Sequence, residues 1–164
     1  MKEHDEQHTI ILTVLNRVGV IARITGLFSA RSYNIESIIA APTENADIYK
    51  VYIVVKGTEE RVEQVTKQLN KLIDIIKVSD ISHKNNYIIR EFILVKVSCQ
   101  KGRSDLFQLA ATFRAKIVDV ATETMTIDLS GPSRKIDRFV ELLKPYGIKE
   151  LVRTGKVAVS DPEV

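Results

Sequence analysis

Several features that reveal function directly are scarce or missing in this chain of 164 residues. Its single cysteine, Cys99, excludes an intrachain disulfide and suits a reducing compartment. The 24 basic residues nearly balance the 21 acidic ones, which gives no electrostatic case for nucleic acid or an anionic membrane as a partner. No apolar run approaches the ~20 residues of a membrane helix, and the first residues are polar. We therefore expect a cytoplasmic protein.

Groups suited to catalysis are also sparse. Cys99 lies on a predicted strand with no histidine nearby, so we interpret it as a core residue rather than a nucleophile. His4 and His8 have the spacing of metal ligands on a helix, but a solvated chain end is the favoured interpretation. Three acidic residues are interpreted as solvated strand or turn positions: Glu36, Asp119 and Glu123. We expect neither a catalytic residue nor a metal site in this chain.

What the chain does contain is one pattern of elements, present twice. In the first half, the hydrophobic periodicity predicts strand 10–15, helix 20–32, strands 34–41 and 48–56, helix 59–72 and strand 74–82. In the second half it predicts strand 87–98, helix 104–114, strands 116–121 and 123–129, helix 133–144 and strand 148–158. Both halves have the order β-α-β-β-α-β, so the predicted fold class is α+β with two ferredoxin-like domains. The alternating strands predict half-buried sheets, each covered by two helices on one face.

The boundary between the two halves is predicted at the polar segment Ser82–Asn86, which is the only unperiodic break long enough to be a linker. The predicted domains are therefore residues 1–83 and 84–164. In the second domain, Ser104 is predicted to cap its helix, with phosphate binding at that turn as a weak alternative. Gly131-Pro132 is predicted to open the last helix.

The turn Asn16-Arg17-Val18-Gly19 lies between the first strand and the first helix. Glycine at the mouth of a helix allows close approach of backbone to a ligand, and free N–H groups there attract a carboxylate. An amino acid would fit such a site. The alternative is that Gly19 only supplies a positive φ angle and that Asn16 only forms the turn.

The longer segment around this turn, LNRVGVIARITGLFSARSYNIESIIAAPT over residues 15–43, resembles the ACT domain of the small, regulatory subunit of acetohydroxyacid synthase, also called acetolactate synthase. In the second half, REFILVKV, FRAKIVDV and YGIKELVRTGKVAV resemble the C-terminal domain of that family. Two departures are Ser32, where many relatives carry glycine, and Arg17-Val18, where some relatives are acidic. The change at Ser32 affects the geometry at the end of the helix. Because of the change at Arg17-Val18, the effector preference of those relatives cannot be transferred to this chain.

The resemblance implies a homodimer in which two four-stranded sheets join side by side. The effector would then lie between the turn of one subunit and the Asn34-Ile35 strand start of the other. Backbone N–H groups of Gly19 and Val20 would hold its carboxylate, Asn16 or Asn34 would accept from its ammonium group, and Ile35 would pack its branched side chain. Asn34 has an alternative role as a residue that tolerates the left-handed region after a helix. The full set of expected effector-binding residues is Asn16, Val18, Gly19, Val20, Ile21, Asn34 and Ile35.

The resemblance also implies what the chain acts on. It would bind and activate the large catalytic subunit of acetolactate synthase and transmit feedback inhibition by a branched-chain amino acid, with valine favoured over leucine and isoleucine. Thiamine diphosphate, Mg and FAD would belong to that partner, with no cofactor in this chain. An alternative in the same class is a free-standing amino-acid-responsive regulator of another enzyme or of transcription. A nucleic-acid module would need exposed stacking aromatics on the sheet, where only Tyr49 and Tyr52 are candidates.

Overall fold

The structure is a computed structural model that describes residues 6–84 and 86–160. Its first six elements are β1 (Glu6–Leu15), α1 (Val20–Ser29), β2 (Ile35–Pro42), β3 (Ile48–Gly57), α2 (Glu59–Leu69) and β4 (Ile75–Asp80). These four strands form one antiparallel sheet in the order β2-β3-β1-β4. β1 is therefore central, and β2 and β4 are the two edges.

The remaining elements repeat this arrangement. They are β5 (Tyr87–Ser98), α3 (Arg103–Phe113), β6 (Lys116–Val120), β7 (Thr124–Gly131), α4 (Ser133–Leu143), a 3-10 turn (Lys144–Tyr146), β8 (Ile148–Arg153) and β9 (Val157–Ser160). The strand order β6-β7-β5-β8 is the same as in the first half. The predicted pair of β-α-β-β-α-β units is confirmed. Within the described residues, no helix is long and apolar enough to span a membrane.

By contact, the chain divides into two compact units. The first extends to Ile88 and also includes the chain from Gly155 onward, while the second is Ile89–Thr154. This division groups residues by their contacts, so it places the C-terminal segment with the first unit. The predicted boundary instead divides the chain between the two repeats of β-α-β-β-α-β. The predicted division into 1–83 and 84–164 stays a prediction.

The core of the first unit lies between its two helices and one face of its sheet. Helix α1 contributes Val20, Ile24 and Phe28 at intervals of four residues, so the three side chains share one face. Phe28 is completely buried, and burying a side chain of this kind contributes about 1.5–3 kcal/mol. Helix α2 adds Val62, Val65 and Leu69 to the same cluster. The predicted helical periodicity thus matches the buried face of both helices.

The other face of the first sheet is covered in part, which differs from the prediction of half-buried strands. Tyr52 on β3 is buried, and its hydroxyl donates to the carbonyl of Ala158 over 3.0 Å. Burial raises the pKa of the Tyr52 phenol, which keeps it protonated as a donor. Lys156 donates to the side-chain oxygen of Gln7 on β1 over 2.6 Å. Residues 156–160 therefore cover part of the sheet face opposite the helices.

The same segment corrects the predicted strand 148–158. β8 ends at Arg153, and Thr154 then exchanges hydrogen bonds with the backbone of Phe92 on β5. A Cβ atom at Gly155 would lie only 2.3 Å from the hydroxyl oxygen of Ser37, so this close approach requires glycine. β9 follows as a separate strand within the first unit.

The second unit has its own core, formed by strands β5 and β7 with helices α3 and α4. Cys99 is 2% exposed and belongs to this core, as predicted. Glu91 on β5 is also buried, where it accepts hydrogen bonds from Arg153 on β8 and from the hydroxyl of Ser133 at the start of α4. A buried carboxylate needs such partners, so these contacts connect β8 and the start of α4 to β5.

Three local predictions are wrong. Ser104 does not cap α3, since the helix begins at Arg103 after Gly102 in a left-handed conformation. The predicted extensions of α1 and α2 to residues 32 and 72 are replaced by turns after Ser29 and Leu69. His8 is not at a solvated end, because it lies in β1 and is 1% exposed beside Asp80. His4 lies outside the described residues.

The turn that follows the first helix contains a strained residue. Ser32 has a φ of 56°, in the left-handed region, while the N–H of Tyr33 closes the helix end by donating to the carbonyl of Phe28 over 3.1 Å. A left-handed conformation costs a residue with a Cβ atom roughly 1–2 kcal/mol, and glycine avoids that cost. The departure from glycine at this position is therefore a local source of strain.

We expect Ser32→Gly to stabilise the first unit by about 0.5–1 kcal/mol, because relief of strain exceeds the added freedom of glycine in the unfolded chain. The matched control is Ser29→Gly, at the exposed end of α1, which should lower stability by about 0.5–1 kcal/mol. Denaturant unfolding of both variants measures the difference. Equal effects of the two substitutions would contradict this account of Ser32.

Candidate effector-binding site

The predicted turn connects β1 to α1 at one end of the first sheet. Gly19 has a φ of 84° and precedes the first helical residue, which favours glycine at this position. The N–H of Arg23 donates to the carbonyl of Gly19 over 3.0 Å and closes the first helical turn. The N–H of Val20, which the sequence assigned to the effector, already donates to the carbonyl of Arg17 over a long 3.3 Å. The side chain of Val20 is buried in the core, so it does not line the turn.

Three further predicted residues surround this turn on its exposed side. The amide nitrogen of Asn16 donates to the carbonyl of Ala46 over 3.1 Å. The amide oxygen of the same side chain is a hydrogen-bond acceptor. Val18 is 100% exposed, and Ile21 is 38% exposed. A fully exposed valine beside a backbone turn is an apolar contact surface for a ligand or for another chain.

Asn34 and Ile35 lie far from these residues within one chain. Ile35, at the start of β2, pairs with Val55, whereas Leu15, at the end of β1, pairs with Ile48. Ile48 and Val55 are seven residue steps apart along β3, which corresponds to roughly 23 Å at about 3.3 Å per residue. Asn34 is exposed, and Ile35 packs partly against the first core. A single chain therefore does not bring the two halves of the predicted site together.

Sequence reasoning did not identify the ionic cluster behind the turn. Asp74, only 4% exposed, precedes β4, and its carboxylate contacts the guanidinium groups of Arg17 and Arg23. Its backbone carbonyl accepts from the N–H of Leu15 over 2.8 Å, which holds it at the end of β1. The available signal was a lone acidic residue inside the apolar run Leu72–Ile76. The two arginines make the turn electropositive.

The acidic residues considered for catalysis are engaged in structure or exposed. Glu36 pairs with Lys56 over 2.6 Å and accepts from Gln7 over 2.6 Å, and these two contacts hold the pKa of the Glu36 carboxyl below its ordinary value. Glu36 is therefore ionised at neutral pH rather than held as a proton donor. Asp119 and Glu123 are exposed. Among the described residues, no group of three metal-binding side chains is assembled.

The surface required for nucleic-acid stacking is also occupied. Tyr52 lies beneath the C-terminal segment with its hydroxyl bonded to Ala158, and Tyr49 packs partly against the first core. Base stacking needs an exposed aromatic face on the sheet. These two residues therefore do not form the platform that the nucleic-acid alternative requires.

The second unit has a different environment at the corresponding turn. Gly102 has a φ of 78°, and a Cβ atom there would lie 2.7 Å from the ring of Tyr146. The ring closes one side of an open cleft of about 470 Å³ that is also lined by Lys101 and Asp105. The Tyr146 ring lies closer to Gly102 than the Arg23 side chain lies to Gly19, where the corresponding distance is 3.3 Å, so this turn is the more tightly covered of the two.

Comparisons with known proteins relate both units to a single group. Residues 10–77 match the family described as AHAS small subunit-like ACT domain, and residues 90–162 match the family described as small subunit of acetolactate synthase. A probable acetolactate synthase small subunit of Archaeoglobus fulgidus is 46% identical over 154 residues, covering 93% of this chain and 96% of that protein. The acetolactate synthase small subunit of Bacillus subtilis is 48% identical over 151 residues, covering 91% and 87%.

A solved structure extends this similarity to three dimensions. The crystal structure of the acetolactate synthase small subunit from Thermotoga maritima aligns with a TM-score of 0.86 and 34% sequence identity. The alignment covers 94% of this chain and 97% of that one. Sequence and fold thus agree over both units.

Proposed function

The chain belongs to the family of acetolactate synthase small subunits, which are regulatory and non-catalytic, and from that premise we propose its role in detail. It binds the large catalytic subunit, raises its activity and transmits feedback inhibition by a branched-chain amino acid. Valine is the favoured effector. The observation that carries this proposal is the match of both units to that family over nearly the whole chain. An amino-acid-responsive regulator with another target would need only the first unit.

In this proposal the reaction and its cofactors belong to the partner. The catalytic subunit condenses pyruvate with pyruvate or 2-oxobutyrate, using thiamine diphosphate, Mg and FAD. This chain contributes no cofactor and acts in the cytoplasm on the branched-chain amino-acid pathway. This chain regulates the reaction by binding at two sites, one for the catalytic subunit and one for the effector.

The geometry of the turn supports an amino-acid effector. Gly19 is exposed with the Arg23 guanidinium beside it, Asn16 has an amide oxygen that can accept a hydrogen bond, and Val18 offers an exposed branched side chain. These groups match the three parts of a branched-chain amino acid, which are its carboxylate, its ammonium group and its apolar side chain. Val20 contributes through the core that holds the turn, and Ile21 adds partly exposed apolar surface on the same helix.

A second copy of the chain would complete this site. β2 is an edge strand, and antiparallel pairing of two β2 strands about a two-fold axis joins two four-stranded sheets. Such pairing places the start of one β2 strand beside the end of the other. It therefore carries Asn34 and Ile35 of the second copy toward the end of the sheet where Gly19 lies, across the gap of roughly 23 Å found within one chain.

The first test measures activity of the catalytic subunit with and without this chain, titrated with valine, leucine and isoleucine. We expect the chain to raise the activity, and at least one of the three amino acids to reverse that increase with a midpoint of about 1 μM to 1 mM, equivalent to about −8 to −4 kcal/mol. Activation without inhibition would remove the sensor function, and neither effect would indicate a different target.

Pairing through β2 predicts a dimer of twice the 18.5 kDa chain mass in light scattering with valine present. Ile38 lies near the middle of β2, where a residue meets its own copy across the axis, so Ile38→Lys should shift the protein toward monomer. The matched control is Ile76→Lys on the other edge strand, β4, which should remain dimeric. A monomeric wild-type protein, or equal effects of both substitutions, would contradict the proposed interface.

Gly19→Asp should abolish inhibition by valine while activation persists. The new carboxylate would start from a Cβ atom 3.3 Å from Nη1 of Arg23, so it would occupy the space beside that guanidinium and repel the carboxylate of the effector by about 1–4 kcal/mol at contact distance. Aspartate tolerates the left-handed region better than most residues, so the fold should survive. The matched control is Gly26→Asp on the same helix, because a Cβ atom there would meet nothing within 4 Å.

The two variants are compared in the same activity assay. We expect wild-type inhibition in the Gly26→Asp protein and none in the Gly19→Asp protein. An unchanged valine midpoint in the Gly19→Asp protein would place the effector elsewhere on the chain.

A further inference from the structure

The ionic cluster behind the candidate turn is built around one buried carboxylate. The side chain of Asp74 is 5% exposed, whereas those of Arg17 and Arg23 are 63% and 48% exposed. Arg23 contacts Asp74 more closely than Arg17 does, since Arg17 lies 3.5 Å away. The buried acid therefore holds the inner ends of two guanidinium groups whose remaining donors face the surface.

The backbone fixes where this cluster stands. The hydrogen bond from the N–H of Leu15 to the carbonyl of Asp74 places the acid at the end of β1, just before the turn. Arg23 lies on the first turn of α1, and its N–H donates to the carbonyl of Gly19. Asp74 thus connects the sheet, through its backbone carbonyl, to the helix, through its carboxylate. The carboxylate holds the Arg23 side chain in one direction.

The guanidinium of Arg23 borders the open space above Gly19. A Cβ atom built at Gly19 would lie 3.3 Å from Nη1 of Arg23. Two positive charges against one negative charge leave the cluster with an excess of one positive charge. A group that occupies this space meets a half-exposed, oriented cation, which favours an anion and in particular a carboxylate.

We propose that Arg23, oriented by Asp74, binds the carboxylate of the effector. This inference rests on the proposed amino-acid-sensing function and adds a side-chain ligand to the backbone contacts expected at the turn. Asp74 is a positioning residue that does not touch the effector. Arg17, being more exposed and more loosely held, contributes charge but not the directed contact.

The test is calorimetric titration of the full chain with L-valine and with L-valinamide, which keeps the ammonium group and side chain but lacks the carboxylate. Arg23→Gln should weaken valine binding about 10-fold or more, since it removes a charge-assisted hydrogen bond. Arg23→Lys should recover only part of that affinity, because it restores the charge without the planar donor pair. The control is Arg138→Gln, an exposed arginine on α4 of the second unit, which should leave binding unchanged.

The comparison of the two ligands separates a direct contact from a change in the fold. If Arg23 binds the carboxylate, exchanging valine for valinamide should reduce affinity much less in the Arg23→Gln protein than in wild type. Asp74→Asn should reduce the same discrimination, because the amide no longer orients the guanidinium. A reduction of binding that is equal for both ligands would assign Arg23 to structure and overturn the proposal.

Failure of this inference is distinguishable from failure of the proposed function. Wild-type protein that binds none of the three branched-chain amino acids overturns the sensing function and this contact together. Wild-type protein that binds valine, with unchanged affinity in the Arg23→Gln variant, overturns the contact alone and leaves the sensing function in place.

Discussion

The pairing of β1 with β3 is the constraint on which the arrangement of the first unit depends. Ten residue pairs join the two strands, from Glu6 with Gly57 to Leu15 with Ile48. Because β1 lies between β3 and β4, this register determines where the turn before α1 leaves the sheet relative to β3, the strand that carries the edge strand β2. The position of Gly19 follows from that register, and the separation of its turn from Asn34 follows from it together with the pairing of β2 with β3.

Much of the fold could be predicted from the sequence because it is encoded at short range. Strand β5 was predicted with its observed bounds, since the alternation over residues 87–98 is uninterrupted. The errors at the Ser104 cap and at the ends of α1 and α2 are local, because helix ends depend on the backbone conformation of single residues, whereas other misjudged parts depend on contacts between distant residues. The break at Gly155 is set by Ser37, and the burial of Tyr52 is set by Ala158, more than a hundred positions away. Local periodicity contains no information about such pairs.

The candidate site divides in the same way. The glycine turn was visible because a strand, a turn and a helix follow one another along the chain, whereas Asp74 reaches that turn only through the pairing of β1 with β4. A charged residue inside an apolar run was a signal, but its partners Arg17 and Arg23 were not deducible from spacing. The roles of the predicted effector-binding residues stay predictions, because they concern a ligand and a second copy.

A site completed by two chains has a thermodynamic consequence for regulation. A ligand that binds only where two copies meet stabilises the paired state by mass action, and pairing raises the affinity for the ligand by the same factor. In the proposed site, the exposed side chain of Val18 and the half-exposed side chain of Arg23 would be surfaces that pairing and the effector jointly cover. Under this linkage, binding of the effector would change the fraction of chains whose sheets are joined. A catalytic subunit that contacts the joined sheets would sense the effector without touching it.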